Sequence, residues 1–216
     1  MKYDLVIFDL DGTVLDTLGD LAAAVNHALA ANGYPTHDTQ TIRRFIGNGV
    51  ANLMQRALPD GTDKDTHARL LAEFKVYYRD HMNDHTGPYE GIRELLRGLR
   101  DNGIRVGINS NKFDAALQNL CRLHFDGLYD VAMGECETTP RKPDPTAALR
   151  IMDRCGVPKN RCIYIGDSAV DMTTARNAGI DAAWVAWGFR TREEMGDVIL
   201  PHAFDSVEAL KAFLLE

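Results

Sequence analysis

Two aspartates two residues apart, Asp9 and Asp11, stand in the run Asp9-Leu10-Asp11-Gly12-Thr13, directly after an apolar stretch at 5–8. Such a pair can divide the work at a phosphorus atom. One carboxylate attacks, and the other passes a proton to and from the leaving oxygen. A magnesium ion beside them would hold the first carboxylate as an anion and mask its repulsion from an anionic phosphate. Gly12 permits a tight turn at this point. The same residues also fit an ordinary turn, where aspartate and glycine are common. An EF-hand loop is excluded, because its other acidic positions and closing glutamate are absent.

Three further stretches could complete such a site. After an apolar run at 105–109, Ser110-Asn111-Lys112 offers a hydroxyl and backbone N–H groups to phosphate oxygens. A helix opening near Phe113 would add its positive dipole end, although a serine N-cap is the simpler reading of these residues alone. In Thr139-Pro140-Arg141-Lys142-Pro143-Asp144-Pro145, Lys142 lies in a proline-stiffened loop. Its ammonium could offset charge between a phosphate and a nucleophilic carboxylate; otherwise it is a solvated loop lysine. Gly166-Asp167-Ser168 and Asp171 follow a run at 162–165. Two carboxylates four apart at an opening helix could supply oxygen ligands to a hard cation, or could cap that helix.

The elements around these residues are legible. Short apolar runs at 4–8, 105–109, 130–133, 162–165 and 182–186 read as strands. Helical patterns lie between most of them. Residues 90–102 place Ile92, Leu95, Leu96 and Leu99 on one face, with Gly103 as a stop. Segments 113–124, 144–155 and 207–215 repeat the pattern. The alternation predicts an α/β fold with a parallel sheet, whose carboxyl edge is where ligands bind. All four stretches follow strands at that edge. From Thr17 to about Met82 there are helical patterns and no convincing strand. The expected layout is a Rossmann-like parallel-sheet core over 1–16 and 84–216, with an α-helical cap inserted over 17–83. Its two short linkers suit a hinged lid.

The chain has 216 residues, 45% of them hydrophobic, enough for a core that needs no staples. With 31 acidic and 24 basic residues the net charge is -7, which disfavours nucleic acid or an anionic membrane as a general partner. No apolar run approaches the ~18 residues of a membrane span. The start, Met1-Lys2-Tyr3-Asp4, does not lead into a signal-peptide pattern. Cys121, Cys136, Cys155 and Cys162 form no close pair of the zinc-binding kind. A cytoplasmic protein with reduced thiols is expected.

Together, Asp-Leu-Asp-Gly-Thr, Ser-Asn-Lys, Arg-Lys-Pro-Asp-Pro and Gly-Asp-Ser-x-x-Asp resemble the haloacid dehalogenase-like hydrolase superfamily, from Asp4 to about Phe189. The resemblance implies a Rossmann-like core with a helical cap. It implies Asp9 as nucleophile, forming an aspartyl-phosphate, and Asp11 as general acid/base. Ser110, Asn111 and Lys142 would hold the phosphate or balance charge. Mg2+ would be ligated by Asp9, the backbone carbonyl of Asp11 and Asp167, with Asp171 in support. Dehalogenase members of the family lack the metal-dependent acidic pair, and phosphonate-cleaving members replace the second aspartate. Asp11 therefore favours a phosphatase or phosphomutase acting on a small phosphorylated metabolite. Phe45-Ile46-Gly47-Asn48-Gly49-Val50, with Trp187-Gly188-Phe189, looks like the phosphoglycolate phosphatases within the family. Backbone N–H groups near Gly47 and Asn48 could hold a small carboxylate, or could simply form a turn between helices. A β-phosphoglucomutase-like mutase, a pyrophosphatase and a non-catalytic phosphate-binding protein are the alternatives. The intact set Asp9, Asp11, Ser110, Lys142 and Asp167 weighs against the last.

Overall fold

A continuous apolar run between polar ends suits a strand buried on both faces. Leu5–Phe8 (β1) is such a strand, and all four of its side chains are fully buried. The computed structural model describes residues 1–47 and 49–216. Among them, β1 is followed by a two-residue strand, β2 (Leu15–Asp16), and then by the helices α1 (Leu18–Ala31), α2 (Thr39–Phe45), α3 (Gly49–Ala57) and α4 (Lys64–His81). A second two-residue strand, β3 (Gly87–Pro88), pairs with β2. Helix and strand then alternate through α5 (Ile92–Asp101), β4 (Arg105–Phe113), α6 (Asp114–Phe125), β5 (Val131–Glu135) and α7 (Thr146–Cys155). The chain continues through β6 (Cys162–Gly166), α8 (Ala169–Ala178), β7 (Asp181–Val185), β8 (Ala203–Phe204) and α9 (Val207–Leu215). Two compact units result: Met1–Leu15 with Pro88–Glu216, and Asp16–Gly87.

The larger unit is built on a six-stranded sheet in the order β5-β4-β1-β6-β7-β8. Every neighbouring pair is parallel. This is the doubly wound, Rossmann-like order, and its direction of winding reverses between β1 and β6. Leu5 registers with Arg105 of β4 on one side and with Cys162 of β6 on the other. Leu5 and Ile7 pack with Ala148 and Ile151 of α7 and with Met172 and Ala175 of α8. Val6 and Phe8 project to the opposite face by strand alternation. Each such side chain contributes roughly 1.5–3 kcal/mol by leaving water, so the centre of the sheet is also its most firmly held part. Helix α5 buries Ile92, Leu95, Leu96 and Leu99 and packs against α9.

The α/β class and the parallel sheet are as expected. Two local differences have physical causes. Residues 110–112, expected in a loop, are the last part of β4, which runs on to Phe113. The pairing of β4 with β5 shifts register between Asn109 and Phe113, so this end of the strand is irregular. Strands β2, β3 and β8 have two residues each, too short for any periodicity to reveal.

The smaller unit buries Leu21, Ala24, Val25, Ala28 and Leu29 of α1 with Ile42, Leu53, Met54, Leu70 and Phe74 from the other three helices. Helix α1 packs against α4. Asp38 starts α2 by accepting a hydrogen bond from Thr41 N at 2.7 Å, and Asp63 starts α4 by accepting from Thr66 N at 2.9 Å. Asp20 has a different role. Its buried carboxylate accepts from His85 N (2.9 and 3.1 Å), Thr86 N (2.9 Å) and Thr86 Oγ1 (2.7 Å). The first turn of α1 is thereby tied to the segment that leaves the unit. The chain passes between units at 15/16 and 87/88, beside the paired β2 and β3. The four cysteines are free, and no described helix is long and apolar enough to cross a membrane.

Candidate active site

The strands β5, β4, β1 and β6 are adjacent and parallel, so the segments that follow them emerge side by side. Asp9 is the first residue beyond β1, and its N–H extends the ladder by donating to Ile165 O at 2.9 Å. The chain then doubles back tightly, with Val14 N and Leu15 N both donating to Leu10 O at 3.1 and 3.0 Å. Gly12 makes the turn possible in two ways. Its φ of +83° is left-handed, and a Cβ there would lie 2.5 Å from Asp167 Oδ2.

Lys142 joins the segments electrostatically. It is a buried residue with Nζ 2.8 Å from Asp9 Oδ1 and 2.7 Å from Asp171 Oδ1. Burial alone would lower its pKa, but Asp171 and Asp9 outweigh that and hold it well above the ordinary lysine range. The loop is fixed from β4. Lys142 N donates to Asn111 Oδ1 at 2.7 Å, and Asn111 Nδ2 donates to Lys142 O at 3.3 Å. The Asn111 amide, expected at a phosphate, is thus engaged with the backbone of the lysine. Ser110 is buried, and its Oγ accepts from Lys112 N at 3.1 Å. Arg141, beside Lys142, pairs with Glu135 at 2.7 Å.

After β6, Asp167 precedes α8 and Asp171 lies in its first turn. Asp171 is fully buried. Its Oδ1 takes Lys142, and its Oδ2 accepts from Ser168 N (3.1 Å) and Ser168 Oγ (2.6 Å). Asp167 is held from the far side by β7 and the segment after it. Phe189 N donates to its Oδ2 at 2.5 Å, and Trp184 Nε1 donates to its carbonyl at 2.9 Å. Gly188 has to be glycine, because a Cβ would fall 2.3 Å from both Asp167 Cβ and Gly12 O.

Oxygens of Asp9, Asp167 and Asp171 lie within 4.8 Å of one another, and all three residues are buried. Burial, and then the neighbouring Asp171, push the Asp167 carboxyl up to about 7 against the opposing Phe189 N–H. Burial also raises Asp9 well above the ordinary range, with Asp171 and Asp167 adding to it and Lys142 opposing. Three carboxylates here share the Lys142 ammonium, with the Arg190 guanidinium acting more weakly on Asp167. The donor set is all oxygen with an excess of negative charge, which fits a hard divalent cation. The Asp11 side chain is not part of this group. Its carboxylate takes Lys112 Nζ at 2.8 and 3.1 Å.

The structure therefore brings Asp9, Asp11, Ser110, Asn111, Lys142, Asp167 and Asp171 to one edge of the larger unit. Gly47 belongs to the smaller unit, between α2 and α3. Asn48 lies outside the described residues. Sequence reasoning missed the role of Lys112 and of the Gly188-Phe189 backbone. The triplet Trp187-Gly188-Phe189 was a visible signal, but nothing in it indicated a hydrogen bond to a carboxylate.

The chain is similar to proteins named as phosphatases. Phosphoglycolate phosphatase 1 of Pseudomonas aeruginosa is 35% identical over 194 residues, covering 86% of this chain and 70% of that protein. A phosphoglycolate phosphatase of Mesorhizobium japonicum is 32% identical over 198 residues, covering 89% of this chain and 86% of the other. A crystal structure of a provisionally named phosphoglycolate phosphatase from Lactobacillus delbrueckii subsp. bulgaricus superposes with a TM-score of 0.95 at 34% identity, over 100% of this chain and 99% of that one. Residues 6–185, which span all four strand ends that build the site, match the family model described as haloacid dehalogenase-like hydrolase, and the chain belongs to that family.

Proposed function

We propose that this hydrolase, a phosphatase by family and relatives, is magnesium-dependent and cleaves a small phosphomonoester through an aspartyl-phosphate on Asp9. The relatives named above make phosphoglycolate the first candidate substrate. The observation that carries the reading is the treatment of the two aspartates of one turn. Asp9 lies among carboxylates and Lys142, while Asp11, two residues on, is held apart by a different lysine. Two carboxylates with different surroundings can take different roles.

Asp9 and Asp167, with the backbone carbonyl of Asp11, would hold the Mg2+. Bound there, the ion supplies positive charge against a transferring phosphoryl group. Asp171 supports this arrangement by orienting Lys142 and Ser168. Leu10 N and Lys142 Nζ both bond Asp9 Oδ1, at 2.7 and 2.8 Å, which fixes the carboxylate plane and directs Oδ2 toward a reactant. Asp9 attacks phosphorus, the ester P–O bond breaks, and the leaving oxygen takes a proton from Asp11. Water then attacks the Asp9 phosphoryl group, giving its proton to Asp11, and inorganic phosphate leaves. Lys142 and Ser110 hold the phosphoryl oxygens through both steps. Asn111 acts through Lys142 by fixing its backbone. The helical unit 16–87 is the candidate cap, and Gly47, between α2 and α3, is a candidate for selecting the substrate.

The test is a panel of phosphoglycolate, pyrophosphate, hexose phosphates and an aryl phosphate, with and without magnesium. Preferred, magnesium-dependent hydrolysis of phosphoglycolate supports the full reading. Preference for another ester moves the substrate and keeps the mechanism. Turnover that requires a bisphosphate activator would identify a mutase. No hydrolysis by folded, phosphate-binding protein would identify a binding protein.

A further inference from the structure

We propose that Lys112 is a positioning residue for proton delivery, orienting Asp11 toward the leaving oxygen. This rests on the phosphatase reading above and extends it to a residue in which sequence alone showed no role. The first observation is geometric. Lys112 Nζ lies 2.8 Å from Asp11 Oδ1 and 3.1 Å from Asp11 Oδ2. Contact with both oxygens is the geometry of the ionised carboxylate; when Asp11 carries the proton, Lys112 keeps one oxygen and leaves the other to donate, so the ammonium sets the orientation of the group as well as its position. The second is burial. The Lys112 side chain is 2% exposed, against 17% for Asp11. A lysine is almost never buried this far without a charge partner, so its ammonium is committed to the site.

The third observation is the division of labour along three consecutive residues. Ser110 Oγ accepts from Lys112 N at 3.1 Å. Asn111 holds the Lys142 backbone. Lys112 reaches across to Asp11. This end of β4 therefore fixes the phosphate-side cation and the proton donor together. The two lysines sort the acidic groups: Lys142 takes Asp9 and Asp171, and Lys112 takes Asp11. Loss of the Lys112 ammonium removes two contacts that hold the Asp11 carboxylate in place. Proton transfer needs an approach of about 2.6–3.2 Å, and a misplacement of about 1 Å can cost 10²-fold in rate.

The consequence is specific to the leaving group. An alkoxide must be protonated as it departs, whereas a dinitrophenolate departs as the anion. The experiment measures kcat/KM, which reports the leaving-group step and not the later hydrolysis of the aspartyl-phosphate, for Lys112→Met, Asp11→Asn and the wild type on alkyl, phenyl and dinitrophenyl phosphates with saturating magnesium. Lys112→Met is expected to slow the alkyl ester about 10²-fold, with the loss shrinking to a few-fold for the dinitrophenyl ester. Lys112→Arg should recover part of the alkyl rate. In the Asp11→Asn background, Lys112→Met should add no further dependence on the leaving group. If Lys112→Met does not fold, Lys112→Gln, which keeps a shorter donor without the charge, is expected to show the same trend. An equal loss across all esters, or no loss, overturns the proposal. If Asp11→Asn itself shows equal loss across the series, the acid/base reading of Asp11 fails, whatever Lys112 does.

Discussion

The buried carboxylates make the protein's stability depend on pH in an unusual direction. Asp167 goes from an ordinary 3.8 to about 7 in the folded chain, chiefly through burial. Between those values the folded protein keeps a proton that the unfolded chain has already released. Stability therefore falls as pH rises through the window and is lowest above about 7. The full difference is worth on the order of 4 kcal/mol, more than half of it between pH ~5 and ~8. Asp9 acts in the same direction. His124, lowered by burial, acts in the opposite sense but is only partly buried. A loss of this size is a substantial part of a typical domain stability of about 5–15 kcal/mol. The assay is urea unfolding across this pH range, with a chelator and then with saturating magnesium. Without metal, the wild type should be clearly less stable at the higher pH. Asp167→Asn should flatten most of the slope and exceed the wild type in stability at the higher pH. With magnesium the slope should shrink or reverse, because metal binding favours the deprotonated ligands. Equal metal-free stability at both ends, or a wild-type slope in Asp167→Asn, would refute the reasoning.

Three other substitutions test separate parts of the site and fold. Lys142→Met leaves Asp9 and Asp171 buried without their ammonium, and should cost about 3–5 kcal/mol in urea unfolding as well as abolishing turnover; a stability change near zero would contradict the pairing. Gly188→Ala places a methyl group 2.3 Å from Asp167 Cβ, so magnesium affinity should fall about 10–100-fold in a metal titration of activity. An unchanged affinity would show that Asp167 need not be held where it is. Asp20→Asn removes acceptor capacity from the His85 and Thr86 donors, and should lower stability by about 1.5–3 kcal/mol with metal affinity intact.

The fold was legible where burial is simple. A four-residue strand covered on both faces, such as β1, must be continuously apolar, and α5 shows its four buried residues at helical spacing. The end of β4 was harder to read. Ser110 and Lys112 are buried strand residues with polar side chains serving the site, and polarity at a strand end reads as a loop. Asp9, Lys142 and Asp167 could be picked out because their residue types fit the chemistry at successive strand ends. The Lys112 pairing joins residues 101 positions apart, and only the adjacency of β1 and β4 brings them together. The clamp on Asp167 uses the Phe189 backbone N–H, a donor that nearly every residue carries and that leaves no mark in sequence.

The claim on which the account depends is transient transfer of the phosphoryl group to Asp9. Acid quenching of the magnesium-loaded enzyme during turnover of its preferred ester, followed by peptide mass spectrometry, tests it directly. A single phosphoryl group on Asp9, absent from Asp9→Asn, is the predicted result. An unmodified Asp9 during turnover, together with normal rates for Asp9→Ala, would contradict it.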